Sequence, residues 1–132
     1  MTNLAIETCT QDLRVFLPAR DFDVSREFYA ALGFTEAWSS DKLVLFRAGR
    51  FTFFLQDYFV KEWAENMMLD LRVADVDSFW AALQGLQLSE RLLGVVRMSA
   101  PRDEPASGIR RGAFIDPSGV LWHFSQALQG AQ

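Results

Sequence analysis

The stretch Leu13–Phe34, LRVFLPARDFDVSREFYAALGF, decides the fold. Leu13, Val15 and Leu17 alternate with Arg14, Phe16 and Pro18, the period of two that marks a half-buried strand. Pro18 has no N–H to give to a ladder, so the strand ends there or lies at an edge. Asp21-Phe22-Asp23-Val24-Ser25 then supplies short polar side chains suited to cap a helix N-terminus. Phe22, Phe28, Tyr29 and Leu32 follow at helical spacing, and Gly33 is placed to end the helix. Beyond it, Phe34–Ser39, Lys42–Ala48 and Phe51–Gln56 read as three short strands, with Asp41 in one turn and Gly49-Arg50 in the next. The order is β-α-β-β-β.

That order begins again further along. Leu69, Leu71 and Val73 alternate with Met68, Asp70 and Arg72, and Asp75-Val76-Asp77-Ser78 caps a second helix that runs to about Leu83. Leu88–Met98, Arg110–Ile115 and Val120–Ser125 supply three more strands, the last two joined by the turn Asp116-Pro117-Ser118-Gly119. Ala100–Gly108, with Pro101 and Pro105, reads as a mobile loop. A constant offset of 54 residues carries Leu17 to Leu71, Asp21 to Asp75, Asp23 to Asp77 and Leu32 to Leu86, apolar onto apolar and cap onto cap. Neither unit can bury the helix-facing side of its sheet alone, so the two are expected to pair their sheets around a shared concavity. The chain is therefore read as one α+β domain over 1–132, made of modules 13–57 and 67–126. Residues 58–66 connect them, and 1–12 form an N-terminal arm.

Composition narrows the functional classes. The chain has 132 residues, half of them hydrophobic, which suffices for a core without disulfides or a structural metal. One cysteine, Cys9, excludes an intramolecular disulfide and a cysteine-based zinc finger. A net charge of −4 speaks against nucleic acid, because phosphate neutralisation needs an excess of Lys and Arg. The apolar runs, such as Phe51–Leu55, fall far short of the roughly 20 residues that span a bilayer. Met1-Thr2-Asn3-Leu4 lacks the basic start of a secretory leader. The expectation is a soluble cytoplasmic protein.

The strand Leu13–Ala19, the run Asp21–Tyr29 followed by Leu32-Gly33-Phe34, the second turn Met68–Asp77 and the closing Asp116–Phe124 together resemble the vicinal oxygen chelate superfamily of glyoxalases, extradiol dioxygenases and bleomycin resistance proteins. The resemblance spans nearly the whole chain. It implies paired βαβββ modules forming a U-shaped, half-open sheet. In metal-using members four side chains point into that concavity, commonly His or Gln, Glu, His or Gln, and Glu. Carried over position by position, these fall on Arg14, Gln56, Met68 and His123.

The chemistry of that set opposes a divalent metal. A guanidinium offers only donors and a permanent positive charge, and a thioether is a poor ligand for Zn²⁺, Mg²⁺, Ni²⁺ or Fe²⁺. His123 is the only histidine. Lyase and dioxygenase chemistry relies on the metal as Lewis acid. The resemblance therefore points to the bleomycin-resistance branch: a metal-independent homodimer, without cofactor, that sequesters a hydrophobic or aromatic small molecule, antibiotics among the candidates. Two alternatives stand beside it, a metal-dependent lyase or oxidoreductase with a degenerate site, and an interaction module with an unused cleft.

The ligand-lining residues are expected to be Arg14, Phe16, Phe54, Gln56, Trp63, Met68, Asp70 and His123, with no catalytic residue assigned. Several keep two readings. His123 is either a hydrogen-bonded groove histidine, paired with Asp70, or a ligand contact. Arg14, Asp70 and Arg72 either form a rigidifying charge network or one of them, Arg14 foremost, binds an anionic or polar ligand group. Tyr58, Phe59 and Trp63 either stack on a planar ligand or close a dimer interface. Asp21, Asp23, Asp75 and Asp77 are helix caps.

Overall fold

In the computed structural model, which describes residues 5–91 and 97–129, two four-stranded sheets enclose the main core. After a single helical turn, α1 (Ile6–Cys9), the first unit comprises β1 (Phe16–Pro18), α2 (Phe22–Leu32), β2 (Thr35–Ser39), β3 (Leu43–Ala48) and β4 (Phe51–Gln56). A short helix, α3 (Lys61–Ala64), lies in the connector. The second unit comprises β5 (Met68–Arg72), α4 (Val76–Gly85), β6 (Met98–Glu104), β7 (Ile109–Ile115) and β8 (Leu121–Ala127). The sheet orders, β1-β4-β3-β2 and β5-β8-β7-β6, are the same topology used twice. In each, the first strand pairs parallel to the last and the other pairings are antiparallel.

The local signals act as expected at the helix ends. Asp21 Oδ1 accepts the Val24 N–H at 3.1 Å, and Asp75 Oδ1 accepts those of Asp77 and Ser78. Gly33 closes α2 at φ 108°, a conformation that a side chain would strain.

Two segments differ from the sequence reading. The arm holds the α1 turn, and β1 itself is short, although backbone bonds along it extend from the Val15 carbonyl to the Ala19 N–H. The larger difference is in the second unit. Leu88–Arg91 forms a 3₁₀ turn, the middle of the expected Leu88–Met98 strand lies outside the described residues, and β6 runs through Met98–Glu104, part of the supposed loop. Pro101 is tolerated because β6 is the sheet edge and its pairing shifts register between Ser99 and Arg102.

The core lies between the sheets, not beside them. Leu17, Val44, Phe46, Phe53 and Leu55 from the first sheet and Phe114, Trp122 and Phe124 from the second are buried in one cluster. Tyr29 of α2 touches both sheets: its ring lies 5.0 Å from Phe53 and 5.8 Å from Trp122. Phe53 and Trp122 also meet directly, at 5.6 Å. A buried polar chain crosses the same seam. Trp122 Nε1 donates to the Tyr29 hydroxyl at 2.9 Å, and that hydroxyl donates to Asp116 at 2.5 Å. Asp116 in turn accepts the N–H groups of Ser118 and Val120, holding the β7–β8 turn. Burial pushes the Asp116 carboxyl above its ordinary range, against the pull of the Tyr29 hydroxyl and these N–H groups. Burial, reinforced by the Asp116 charge, raises the Tyr29 hydroxyl well above its usual range.

Because the sheets meet through their helix-facing sides, their other faces point away from each other. The two faces expected to enclose one concavity therefore do not do so within a single chain.

Candidate functional site

In-register partners across strands put their side chains on the same face. On the outward face of the first sheet, pairing aligns Phe16, Phe54, Leu45 and Trp38 in one row across all four strands. Phe16 and Phe54 stack at 4.7 Å. Phe16 is 49% exposed and Trp38 52%, so the row is a water-facing apolar strip. The Arg14 guanidinium sits 5.6 Å above the Phe54 ring and its Nε donates to Asp12 at 2.7 Å. Thr52 donates to the same carboxylate at 2.6 Å, and these two bonds hold the Asp12 carboxyl below its usual range. Gln56 lies one row away, beside Pro18 and Leu43.

The outward face of the second sheet is built on the same register and is chemically different. Asp70 pairs with His123, and His123 with Ala113. The next rung aligns Arg72, Ser125, Arg111 and Arg102. Ser125 Oγ donates to Asp70 at 2.7 Å and accepts from Arg72 Nε at 3.1 Å. Arg111 holds Glu104 through both its Nε, at 2.9 Å, and its Nη2. That bond keeps the Glu104 carboxyl below its usual range. His123 Nδ1 is buried and has no hydrogen-bond partner. Burial and the nearby Arg111 charge lower the His123 pKa, so the ring is neutral at pH 7. A depression of about 350 Å³ opens here among Arg102, Glu104, Arg111 and His123.

A second opening, of about 360 Å³, lies between the inner sides of the two sheets, where Leu13, Val15, Phe51 and Phe53 face Leu69, Leu71 and Trp122. It is mainly apolar and open to solvent, with Leu13 and Phe51 among the exposed residues and Thr52, Asp70 and Arg72 also lining it.

The structure thus distributes the anticipated residues over two faces. Arg14, Phe16, Phe54 and Gln56 share the first; Met68, Asp70 and His123 share the second. Met68 is 65% exposed beside Leu121. Arg14 bonds Asp12, so no Arg14–Asp70–Arg72 network forms; Asp70 and Arg72 are bridged by Ser125. Trp63, in α3, belongs to neither face and lies exposed 6.4 Å from Tyr58. The register also makes Phe54, not Gln56, the first-sheet counterpart of His123, since Phe16–Phe54 and Asp70–His123 occupy equivalent rungs. Trp38, Leu45, Arg111 and Arg102 escaped the sequence reading. Their alignment depends on partners many residues away. A bulge at Glu36/Trp38 and another at Ser99/Arg102 also break simple alternation in both edge strands.

Shape comparison places this geometry among solved proteins. A bleomycin-binding protein complexed with bleomycin is 25% identical, covers 89% of this chain and 98% of its own, and superposes with a TM-score of 0.73. The fold is that of the vicinal oxygen chelate superfamily. A bleomycin resistance determinant encoded on transposon Tn5 (23% identity, 89% and 98% coverage, TM-score 0.69) shares the fold. So does TnmS3, an antibiotic binding protein from Streptomyces sp. CB03234 (23%, 91% and 98%, 0.70). No family model and no curated protein sequence matches the chain. Among superfamily members, the shape is bleomycin-resistance-like.

The donors present do not fit the superfamily's divalent metal. Among the described residues no three of His, Cys, Asp and Glu come together as a possible metal site. Arg14 carries a permanent positive charge toward Phe54, the very position that would have to supply a ligand. No chemical step through a metal is derived for this chain. Among the described residues, no helix is long and apolar enough to cross a membrane.

Proposed function

We propose that this protein binds and sequesters a hydrophobic or aromatic small molecule without a metal, as a cytoplasmic homodimer. In that dimer the first-sheet outward face of one copy meets the second-sheet outward face of its partner, so each groove draws on both chains. The observation that carries the reading is the row Phe16, Phe54, Leu45 and Trp38: an aromatic strip left facing water on a rigid sheet, with its two phenyl rings stacked. A flat apolar ligand gains dispersion and area burial on such a strip. One sheet provides only a floor, however, and binding sites bury most of a ligand's surface. A second copy supplies the roof. The exposed Phe16 and Trp38 on the first face and Met68 on the second give the dimer apolar area to cover. Antibiotics are candidate ligands because the bleomycin-binding protein and TnmS3 share the shape.

The test combines sedimentation velocity with a thermal-shift screen of planar antibiotics, bleomycin included, and aromatic metabolites. The expected result is a dimer and a stabilising compound whose effect is lost in Phe16→Ala and Trp38→Ala. A monomer at tens of micromolar, or a stabiliser indifferent to both substitutions, rejects the groove. Metal analysis of the purified protein addresses the enzymatic alternative: a stoichiometric transition metal on His123 would replace sequestration with catalysis.

A further inference from the structure

The two faces that form the proposed groove differ in charge, and the difference specifies the ligand. The second-sheet rung Arg72–Ser125–Arg111–Arg102 lines up three guanidiniums. Two of the three carboxylates around them are already ion-paired. Glu104 is held by both ends of the Arg111 fork and Asp103 by Arg110 at 3.1 Å, while Asp70 bonds the neutral Ser125 hydroxyl at 2.7 Å and leaves one negative charge against the rung's three positive ones beside the paired Glu104. Among the described residues neither Arg72 nor Arg102 has a carboxylate within ion-pair distance. Two guanidiniums thus stand with donors to spare in a chain whose net charge is −4. Arg102 faces this side because the bulge at Ser99/Arg102 turns it there. Beside them the His123 ring lines the depression with Arg102, Glu104 and Arg111.

We infer that the ligand is an aromatic anion. Its ring system lies on Phe16, Phe54, Leu45 and Trp38 of one copy, and its acidic group is taken by the Arg72–Arg111–Arg102 rung of the partner. The inference rests on the dimeric groove proposed above and adds the ligand's charge. A guanidinium fork matches the oxygens of a carboxylate or sulfonate, and such charge-assisted bonds are about twice as strong as neutral ones. A cationic ligand would meet three guanidiniums against the Glu104 and Asp70 carboxylates, a net repulsive face.

Two dyes with one ring system separate the claims. 1-Anilinonaphthalene-8-sulfonate carries a sulfonate, and N-phenyl-1-naphthylamine is the same arylamine without it. Titrated into the intact protein and followed by dye fluorescence, the sulfonate dye is expected to bind about tenfold more tightly. Rising salt should weaken that dye alone. The double substitution Arg72→Gln/Arg102→Gln, with near-UV circular dichroism confirming the fold, should bring its affinity down to that of the neutral dye and leave the neutral dye unmoved. Phe16→Ala should weaken both. Equal affinities in the unaltered protein, or an arginine substitution that shifts both dyes or neither, overturn the anionic ligand while leaving the aromatic groove standing. If neither dye binds, the groove itself is lost along with the inference.

Discussion

The pair Phe16–Phe54 and the pair Asp70–His123 occupy the same rung of the same four-stranded design, one in each sheet. One is a stacked aromatic couple and the other a carboxylate facing a neutral imidazole. On the opposite sides of the same strands, Leu17 and Leu55 correspond to Leu71 and Phe124, all apolar. The internal repeat has therefore been kept where the sheets face each other and has diverged where they face outward. Packing constrains the inner sides to volume and polarity, whereas nothing in the fold requires an aromatic row on one outer face and an arginine rung on the other. Divergence of the outward faces agrees with the groove proposed above.

If that division holds, substitutions on the inner side should cost stability and those on the outer side should cost binding. The largest effect is expected at Trp122, which lies 3% exposed against Phe53, Tyr29 and Phe114 and joins the two sheets. Trp122→Ala should destabilise by about 3–5 kcal/mol, which chemical denaturation would measure. A loss below about 1 kcal/mol would mean the sheets are not held together through this seam.

Tyr29→Phe comes next. It preserves the ring but removes the hydroxyl that donates to Asp116 and accepts from Trp122. Both partners are buried, so each loses a bond that water cannot easily replace, and about 1–3 kcal/mol should go. Asp116→Asn in the same background should recover part of the loss, since the amide carries no buried charge. A Tyr29→Phe protein as stable as the parent would show that shape alone, without the polar chain, locks the modules.

The outer side should respond the other way. Phe16 is half exposed, so Phe16→Ala should lower stability by only about 0.5–1.5 kcal/mol, the worth of one stacked pair. Ligand binding should nevertheless fall sharply. Isothermal titration with any compound found in the screen, run beside thermal unfolding, reads both quantities. A variant that loses stability and binding in proportion would erase the distinction between the faces.

How much of this was legible beforehand follows from the same contrast. Alternation and cap residues are local signals, so both helices, the inner apolar rows and the repeat could be read from neighbouring positions. The outward sites could not be read completely, because they are made by register. Phe16, Phe54, Leu45 and Trp38 are brought together by three strand pairings, and a one-residue slip in any of them would send a side chain to the other face. The bulges compound this. Alternation puts Trp38 with Glu36, which faces inward to bond Arg26 of α2; the bulge turns Trp38 outward instead. Arg102 is turned outward by the equivalent bulge in β6. The orientation of one sheet to the other was hidden for a different reason. The repeat says that both helix-facing sides need cover, and it does not say that each covers the other.

The smallest expected effect compares the two caps. Asp21 accepts one backbone N–H and Asp75 accepts two, so Asp75→Ala should lower the unfolding midpoint more than Asp21→Ala. The pH dependence sharpens this. Bonding to the Ser78 backbone N–H, with its side chain and the Asp77 N–H adding to it, holds the Asp75 carboxyl below its ordinary 3.8. A carboxyl depressed in the folded state stabilises fully only above its unfolded pKa, and that contribution disappears as pH falls through the folded value. The difference in midpoint between Asp75→Ala and the parent should therefore be constant near neutrality and shrink below about pH 4. A gap that persists unchanged to pH 2 would mean that the side chain acts at this helix end by its shape or its neutral hydrogen bonds. The two modules would then cap their helices by different physics despite the shared aspartate.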